Sequence, residues 1–367
     1  MIGGEEIYKV VTAMLPLYTA IFLGYASVKW CQMFKPDQCD AINRFNCYFV
    51  LPFFTFEFVA TVNPYQMNFR FMAADVIAKF GIGAVLVIWA NFSKKGSLDW
   101  SITTFSLSSL NNTLLLGVPL LEAMYGNQGK DLVIQSSVIQ ALLWFVSLLF
   151  LLELRNAKTI ASESKSIHST HRTAPVDVES GEIEMEETSA SVTAATIAPT
   201  KRLKFWGIMK VVLLKLAKNP NVYACVLGLI WALISKRWHI GMPKIIEGSI
   251  LIMSKGGAGL AMFSMGLFMA LEEKIIACGM GLTLYGMVLR FVVGPATTAI
   301  GALATGLRGN VLRIVVVQAA LPQALTAFVY AQEYGLHAQV LSTAVIFGTI
   351  VSLPLLIGYY AVLDVWH

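Results

Sequence analysis

The sequence predicts an all-α polytopic membrane protein: ten transmembrane helices in two inverted repeats of five, with the fourth and ninth helices broken. Three observations predict it. The 367 residues are 56% hydrophobic and 13% charged, with a mean hydropathy of +0.67; soluble domains carry about 25% charged residues. A window of about 20 apolar residues, the length that crosses a bilayer, fits ten stretches of the chain. The two halves also share an order: a polar break in an apolar run, then Tyr125-Gly126 or Tyr334-Gly335, then a polar-studded run in which Val133–Ile139 echoes Val340–Ile346.

The ten stretches are 8–29, 40–60, 71–91, 101–124 and 131–155, then 212–235, 244–270, 275–304, 310–333 and 338–364. The first follows Glu5, Glu6 and Lys9 and is long enough to span, unlike a cleavable signal peptide. The second carries Leu51, Pro52, which predicts a kink, and Thr55, which offers a hydroxyl; Glu57 follows. The third carries Asp75 and Lys79, four apart on one helical face and in the favourable acid-before-base order. Ionisable groups inside a span mark ion or substrate paths by default; a structural ion pair is the alternative. The fourth breaks at Leu110–Pro119. The fifth carries Gln140, Trp144 and Phe145, which line a cavity or simply pack.

Residues 156–204 are rich in Ser, Thr, Ala and Glu and cannot bury a core, so they read as a disordered loop. This loop divides the chain into a first repeat, 1–155, and a second, 205–367. In the seventh stretch Lys255 lies in Ser254-Lys255-Gly256-Gly257-Ala258-Gly259, a run suited to close helix packing rather than to phosphate. In the eighth, Arg290 stands roughly where Lys79 stands in the third; a lipid head group and an internal partner are both open to it. The ninth breaks at Gln318–Leu325, and the tenth mirrors the fifth.

An odd number of helices per repeat turns the second half upside down, which is the architecture of many secondary carriers. Lys and Arg are denser in the loops after helices one, three, five and seven, including Lys94, Lys95, Arg155, Lys201 and Arg202. That side, with the long loop, is placed in the cytosol and both termini opposite. Asn91-Phe92-Ser93 is a glycosylation sequon that this orientation leaves silent. The five cysteines form no C-x-x-C pair and read as free thiols, Cys31 and Cys39 included.

The breaks carry the chemistry. Backbone that leaves the helix at mid-bilayer must line a cavity or be buried in protein, and paired breaks in corresponding halves point to a transporter binding site. Asn112 and Gln323 sit at the breaks, where amides and free helix N–H groups favour an anion. Each amide can instead cap its own half-helix. His168, His171, His239, His337 and His367 lack metal spacing, and no nucleophile set occurs, so the reading excludes an enzyme, a metal site and a cofactor. No basic stripe suggests nucleic acid.

Several motifs resemble the PIN-FORMED auxin carriers of plants. They are Asn112-Thr113-Leu114 with Gly117-Val118-Pro119, Gln318–Gln323, Glu333–His337, Asp37-Gln38-Cys39 with Ala41-Ile42-Asn43, Asn219-Pro220-Asn221 and Gly259–Met269. The loop is short for that family and resembles its endoplasmic-reticulum type. The resemblance implies that helices four and nine cross at their breaks, and that a homodimer carries indole-3-acetate by an elevator movement. It implies a substrate site of Leu51, Thr55, Asn112, Leu114, Leu115, Gln140, Phe145, Gln323 and Leu325, supported by Asp75 and Lys79. It places the protein in the endoplasmic reticulum membrane, with the plasma membrane as the alternative. Two departures stand at the crossover. Asn111 replaces a family proline, and Ala324-Leu325-Thr326-Ala327 replaces a segment that carries a second, leaving Pro119 and Pro322. The competing readings are a sodium- or proton-coupled organic-anion carrier of the same architecture and a non-transporting membrane receptor.

Overall fold

A computed structural model describes residues 4–170, 205–272, 274 and 276–365. Among the described residues the chain is helical, with no strand. The first half runs α1 (Gly4–Lys29), α2 (Pro36–Phe45), α3 (Leu51–Thr61), α4 (Phe69–Phe92), α5 (Leu98–Ser109), α6 (Val118–Ile139) and α7 (Phe145–Thr170). The second half runs α8 (Phe205–Leu216), α9 (Pro220–Trp238), α10 (Lys244–Lys255), α11 (Gly257–Leu271), α12 (Met280–Val288), α13 (Gly294–Ala304), α14 (Gly309–Ala319), α15 (Leu325–Glu333) and α16 (Ala338–Val365). The boundaries have local causes. Asn68 and Ser97 cap α4 and α5 by accepting from Phe71 N and Trp100 N, and Asn219 accepts from Asn221 N just before Pro220 starts α9.

Six helical segments among the described residues are long and apolar enough to cross a membrane. They are Ile7–Lys29, Phe69–Phe92, Thr113–Ala157, Lys244–Leu271, Met280–Ala304 and Ala338–Asp364. The protein is thus a multi-pass membrane protein. The stretches 40–60, 101–124, 212–235 and 310–333 are not unbroken apolar helices of that length. Windows of hydropathy register apolar content and pass over an interruption. The 45-residue segment is itself bent at Gly126 (φ +62°), a left-handed position that glycine adopts without strain. The stretch 244–270 is two helices that meet at Gly256. α7 continues to Thr170, past the boundary drawn at 155; the rest of the proposed loop, 171–204, lies outside the described residues.

Among the described residues four π-turns widen the helices, at Asn46–Val50, Thr113–Gly117, Gln140–Trp144 and Leu289–Val293. Three of them end two residues before a proline: Pro52, Pro119 and Pro295. Proline lacks an N–H and crowds the carbonyl four residues back. A turn closed at i→i+5 gives that carbonyl room. The kink expected at Pro52 is therefore placed one turn earlier.

The largest core gathers Met14 and Ile21 of α1, Leu120 and Met124 of α6, Met262 and Met265 of α11, Val315 of α14 and Val345 of α16. α1 and α11 touch closely: a Cβ on Gly24 would strike the Phe263 carbonyl, and one on Gly266 the Ile21 carbonyl. Phe22, Val85, Ile88, Leu227, Ile252 and Ile300 face outward, an apolar rim suited to lipid. The cysteines are free, Cys31 exposed and Cys39 buried.

Candidate functional site

The two breaks meet. α5 ends at Ser109 and Leu110 is extended; α14 ends at Ala319 and the chain stays irregular to Ala324. Asn112 N–H donates to Pro322 O (2.9 Å) and Ala324 N–H to Leu110 O (3.1 Å), forming an antiparallel bridge between Asn111 and Gln323. Backbone groups freed from their helices thus satisfy one another, as a lipid-surrounded interior demands.

Arg290 fills the space behind this bridge. It has 0% exposure, and the ion pairs found among the described residues do not include it. Its partners are oxygens. Nη1 donates to Leu107 O (3.1 Å), Leu110 O (3.0 Å) and Gln323 Oε1 (3.4 Å); Nη2 donates to Ala319 O (2.7 Å) and to Asn111 Oδ1. Leu107 and Leu110 lie at the C-terminal end of α5, and Ala319 closes α14. Helix C-termini carry partial negative charge, so one guanidinium neutralises both half-helix ends. Of its two open alternatives, Arg290 takes the internal partner.

Asn111 is the other half of this lock. Its Nδ2 donates to Gln318 O (2.8 Å), its N–H to Gln140 Oε1 (3.0 Å), and its carbonyl accepts from Gln140 Nε2 (2.6 Å). A proline here would have neither the N–H nor the side-chain oxygen that Arg290 takes. Gln323 is fully buried, with Nε2 on Ser106 O (3.1 Å) and Ser106 Oγ (3.2 Å). Both glutamines therefore spend their amides inside the crossing. Asn112 differs: it is 7% exposed and its Nδ2 has no partner.

Beside the crossing, Lys79 Nζ lies 2.9 Å from Asp75 Oδ1, and both side chains are 5% exposed. Trp144 Nε1 donates to Asp75 Oδ2 (2.9 Å) and its ring lies under Lys79 Nζ at 5.3 Å. A cavity of about 10 Å³, room for about one water, touches Asp75, Lys79, Ser109, Asn111 and Gln318.

A larger cavity, about 590 Å³, has Leu51, Leu115 and Leu325 on its wall with Asn46, Ser264 and Phe268. Its volume suits a small organic ligand. Asp40, Glu272, Lys274 and Gln339 also border it. Other expected site residues lie elsewhere. Thr55 Oγ1 donates to Asn221 Oδ1 (2.6 Å), Phe145 packs edge-on to Tyr330 (6.2 Å), and Leu114 rests on the main core. Pro119 begins α6 and Pro322 supplies the bridge carbonyl. Sequence reasoning missed Asn46, Ser264, Asn221 and Ser106. An amide inside the apolar run after Phe45 was the available signal for the first.

Outside the cavity lining, Arg155 pairs with Asp99 through Nε and Nη2 (3.1 Å each) and donates to Tyr334 O (2.8 Å) through Nη1. His337 Nδ1 contacts Thr103 Oγ1 (2.8 Å), and its ring stacks on Trp100 at 4.2 Å. Burial lowers the His337 pKa below its ordinary value; Asp99 opposes the shift and Arg155 adds to it.

The membrane transport protein family profile matches residues 9–360. Auxin efflux carrier component 5 of Arabidopsis thaliana is 54% identical over 367 residues, covering 100% of both chains. The chain belongs to the auxin efflux carrier family. Another member, probable auxin efflux carrier component 5a of Oryza sativa subsp. japonica, is 52% identical over 366 residues, 99% of each chain. Auxin efflux carrier component 8 of Arabidopsis thaliana is 39% identical over 373 residues, 99% of this chain and 100% of its own. The resemblance to PIN-FORMED carriers is borne out, and with it the short-loop type, since these relatives align with the carrier end to end without a long insertion. The family is one of membrane transporters, not of enzymes.

Proposed function

We propose that this carrier moves auxin, as the indole-3-acetate anion, across a membrane. The observation that carries the reading is the 54% identity with auxin efflux carrier component 5 over the whole of both chains. The architecture we assign is ten helices in two inverted repeats, 1–155 and 205–367, with the part bearing the crossed breaks moving like an elevator within a homodimer. The residence we assign is the endoplasmic reticulum membrane, with 156–204 in the cytosol.

In this reading the anion sits where the helices resume after the breaks. The first turns there hold N–H groups without helical acceptors, beside the free Asn112 Nδ2. The indole ring lies among Leu51, Leu115 and Leu325 in the larger cavity. Thr55, Leu114 and Phe145 shape its surroundings, Gln140 and Gln323 hold the crossing in register, and Asp75 with Lys79 supports it. Two or three hydrogen bonds to the carboxylate, about 1.5–3 kcal/mol each, and ring burial of about 2 kcal/mol favour binding. Association opposes it by about 4–15 kcal/mol. The balance fits micromolar or weaker binding, which lets a carrier release its cargo.

The test is uptake of labelled indole-3-acetate by vesicles holding the purified carrier, with and without a proton gradient. Saturable flux that the empty vesicles lack is expected. Strict sodium dependence would favour a sodium-coupled organic-anion carrier, and saturable binding without flux a receptor.

A further inference from the structure

The wall of the 590 Å³ cavity is not apolar throughout. Asn46 opens the π-turn Asn46–Val50, which packs against α11, and α11 carries Ser264. Both residues border the cavity, and both are buried, at 4% and 3% exposure. Asn46 Oδ1 and Ser264 Oγ have no hydrogen-bond partner. Native proteins rarely leave such atoms orphaned, and each one calls for an explanation. Helix capping does not supply it, since Asn46 follows unbroken helix and its side chain bonds no backbone amide. Two buried oxygens in the wall of one cavity, neither of them hydrogen-bonded, leave polar capacity there that a ligand can use.

We propose that Asn46 and Ser264 form the polar subsite that receives the ring N–H of the substrate, with Asn46 Oδ1 as the acceptor. This rests on the reading of the chain as an indole-3-acetate carrier. The placement follows from the chain. Leu51 N–H closes the π-turn onto Asn46 O, so Asn46 stands one turn from Leu51. Leu115, on the same cavity, lies three residues beyond Asn112. The same hollow is bordered by Leu325, the first residue of α15, and by Asn46 and Ser264, and an indole acid carries an anion at one end and an N–H at the other. A short rotation of each side chain turns its oxygen into the cavity when the ring arrives. An acid that is isosteric but lacks the N–H leaves Asn46 Oδ1 unpaired, and the site prefers the indole by the hydrogen bond that only the indole makes.

The experiment measures binding of indole-3-acetate and of benzofuran-3-acetate, which has a ring oxygen in place of the N–H, to the full-length carrier in detergent. The wild type is expected to prefer the indole acid by about tenfold. Asn46→Leu is expected to bring the two affinities together by weakening the indole acid alone, and Ser264→Ala to close part of the gap. Cys47 is exposed and borders the same cavity. Its alkylation by N-ethylmaleimide, read against a Cys47→Ala control, reports in each variant that the cavity is formed and that the ligand occupies it. Equal binding of the two acids by the wild type, with Cys47 protected, overturns the subsite and leaves the auxin reading standing. An unchanged preference in Asn46→Leu also overturns it. Binding of neither acid, with no protection of Cys47, overturns the auxin reading and this inference with it.

Discussion

Arg290 shows how one side chain holds a site without touching ligand. Its five oxygen partners come from both half-helix ends and from both break residues, Asn111 and Gln323. Truncation removes their guanidinium donor, and only Leu110 O keeps a partner within the bridge, Ala324 N–H; each buried oxygen left unpaired costs about 1–3 kcal/mol. Arg290→Met is therefore expected to lower stability by at least about 3 kcal/mol, seen as a fall in Tm in detergent. Arg290→Lys keeps the charge but not the fork, and its Tm is expected to lie between those of Met and wild type. Asn112 is the contrasting residue: its amide braces little and its Nδ2 is free. Asn112→Ala is expected to abolish indole-3-acetate uptake into vesicles with Tm nearly unchanged; undiminished uptake would remove Asn112 from the site. The amides at the breaks were legible in the sequence because they interrupt apolar runs. Their division of labour was not. It depends on Gln140, which reaches Asn111, and on Arg290 and Ser106, which reach Gln323; all three are brought to the break residues only by the fold.

At the scale of the element, the prolines matter through the turns that precede them. The π-turns before Pro52 and Pro119 set the facing of Asn46, Leu51 and Leu115, all on the cavity wall. Pro52→Ala removes the steric reason for the first of these turns. Relaxation to an α-turn drops one residue from it, a rotation of about 100° per residue that carries Asn46 away from Leu51. Weaker indole-3-acetate binding is the expected outcome, with helical content by circular dichroism unchanged. The α1–α11 contact is equally exacting, because Gly24 and Gly266 meet backbone rather than flexible side chain. Gly266→Leu is expected to force the helices apart at a cost of about 1–3 kcal/mol, measurable as a loss of Tm. Apolar content and the breaks could be read from sequence. The π-turns could not, since a proline in a span announces a kink but not an i→i+5 closure, and the turn at Gln140–Trp144 has no proline after it.

Across the whole molecule, a polar clasp joins the halves: the first contributes Asp99, Thr103 and Arg155, and the second Tyr334 and His337. The His337 pKa is lowered in the folded protein, so the unfolded chain binds the proton more tightly. Its contribution to stability is complete above the ordinary histidine pKa of about 6.5 and is lost as pH falls through the lowered folded value. Tm is expected to decline as pH drops below about 6.5, and less steeply in His337→Asn; parallel profiles would exclude the imidazole as the cause.

The bridge between Asn111 and Gln323 has a last consequence. The front of the polypeptide is held to its back by packed helices such as α1 on α11 and, at the centre, by a pair of amide–carbonyl bonds secured by one arginine, rather than by the covalent thread that runs from Thr170 to Phe205. Cutting that thread leaves every partner in those contacts in place. Two separately translated fragments are therefore expected to find each other in the bilayer and co-purify, and Arg290→Met to lower the yield of the pair.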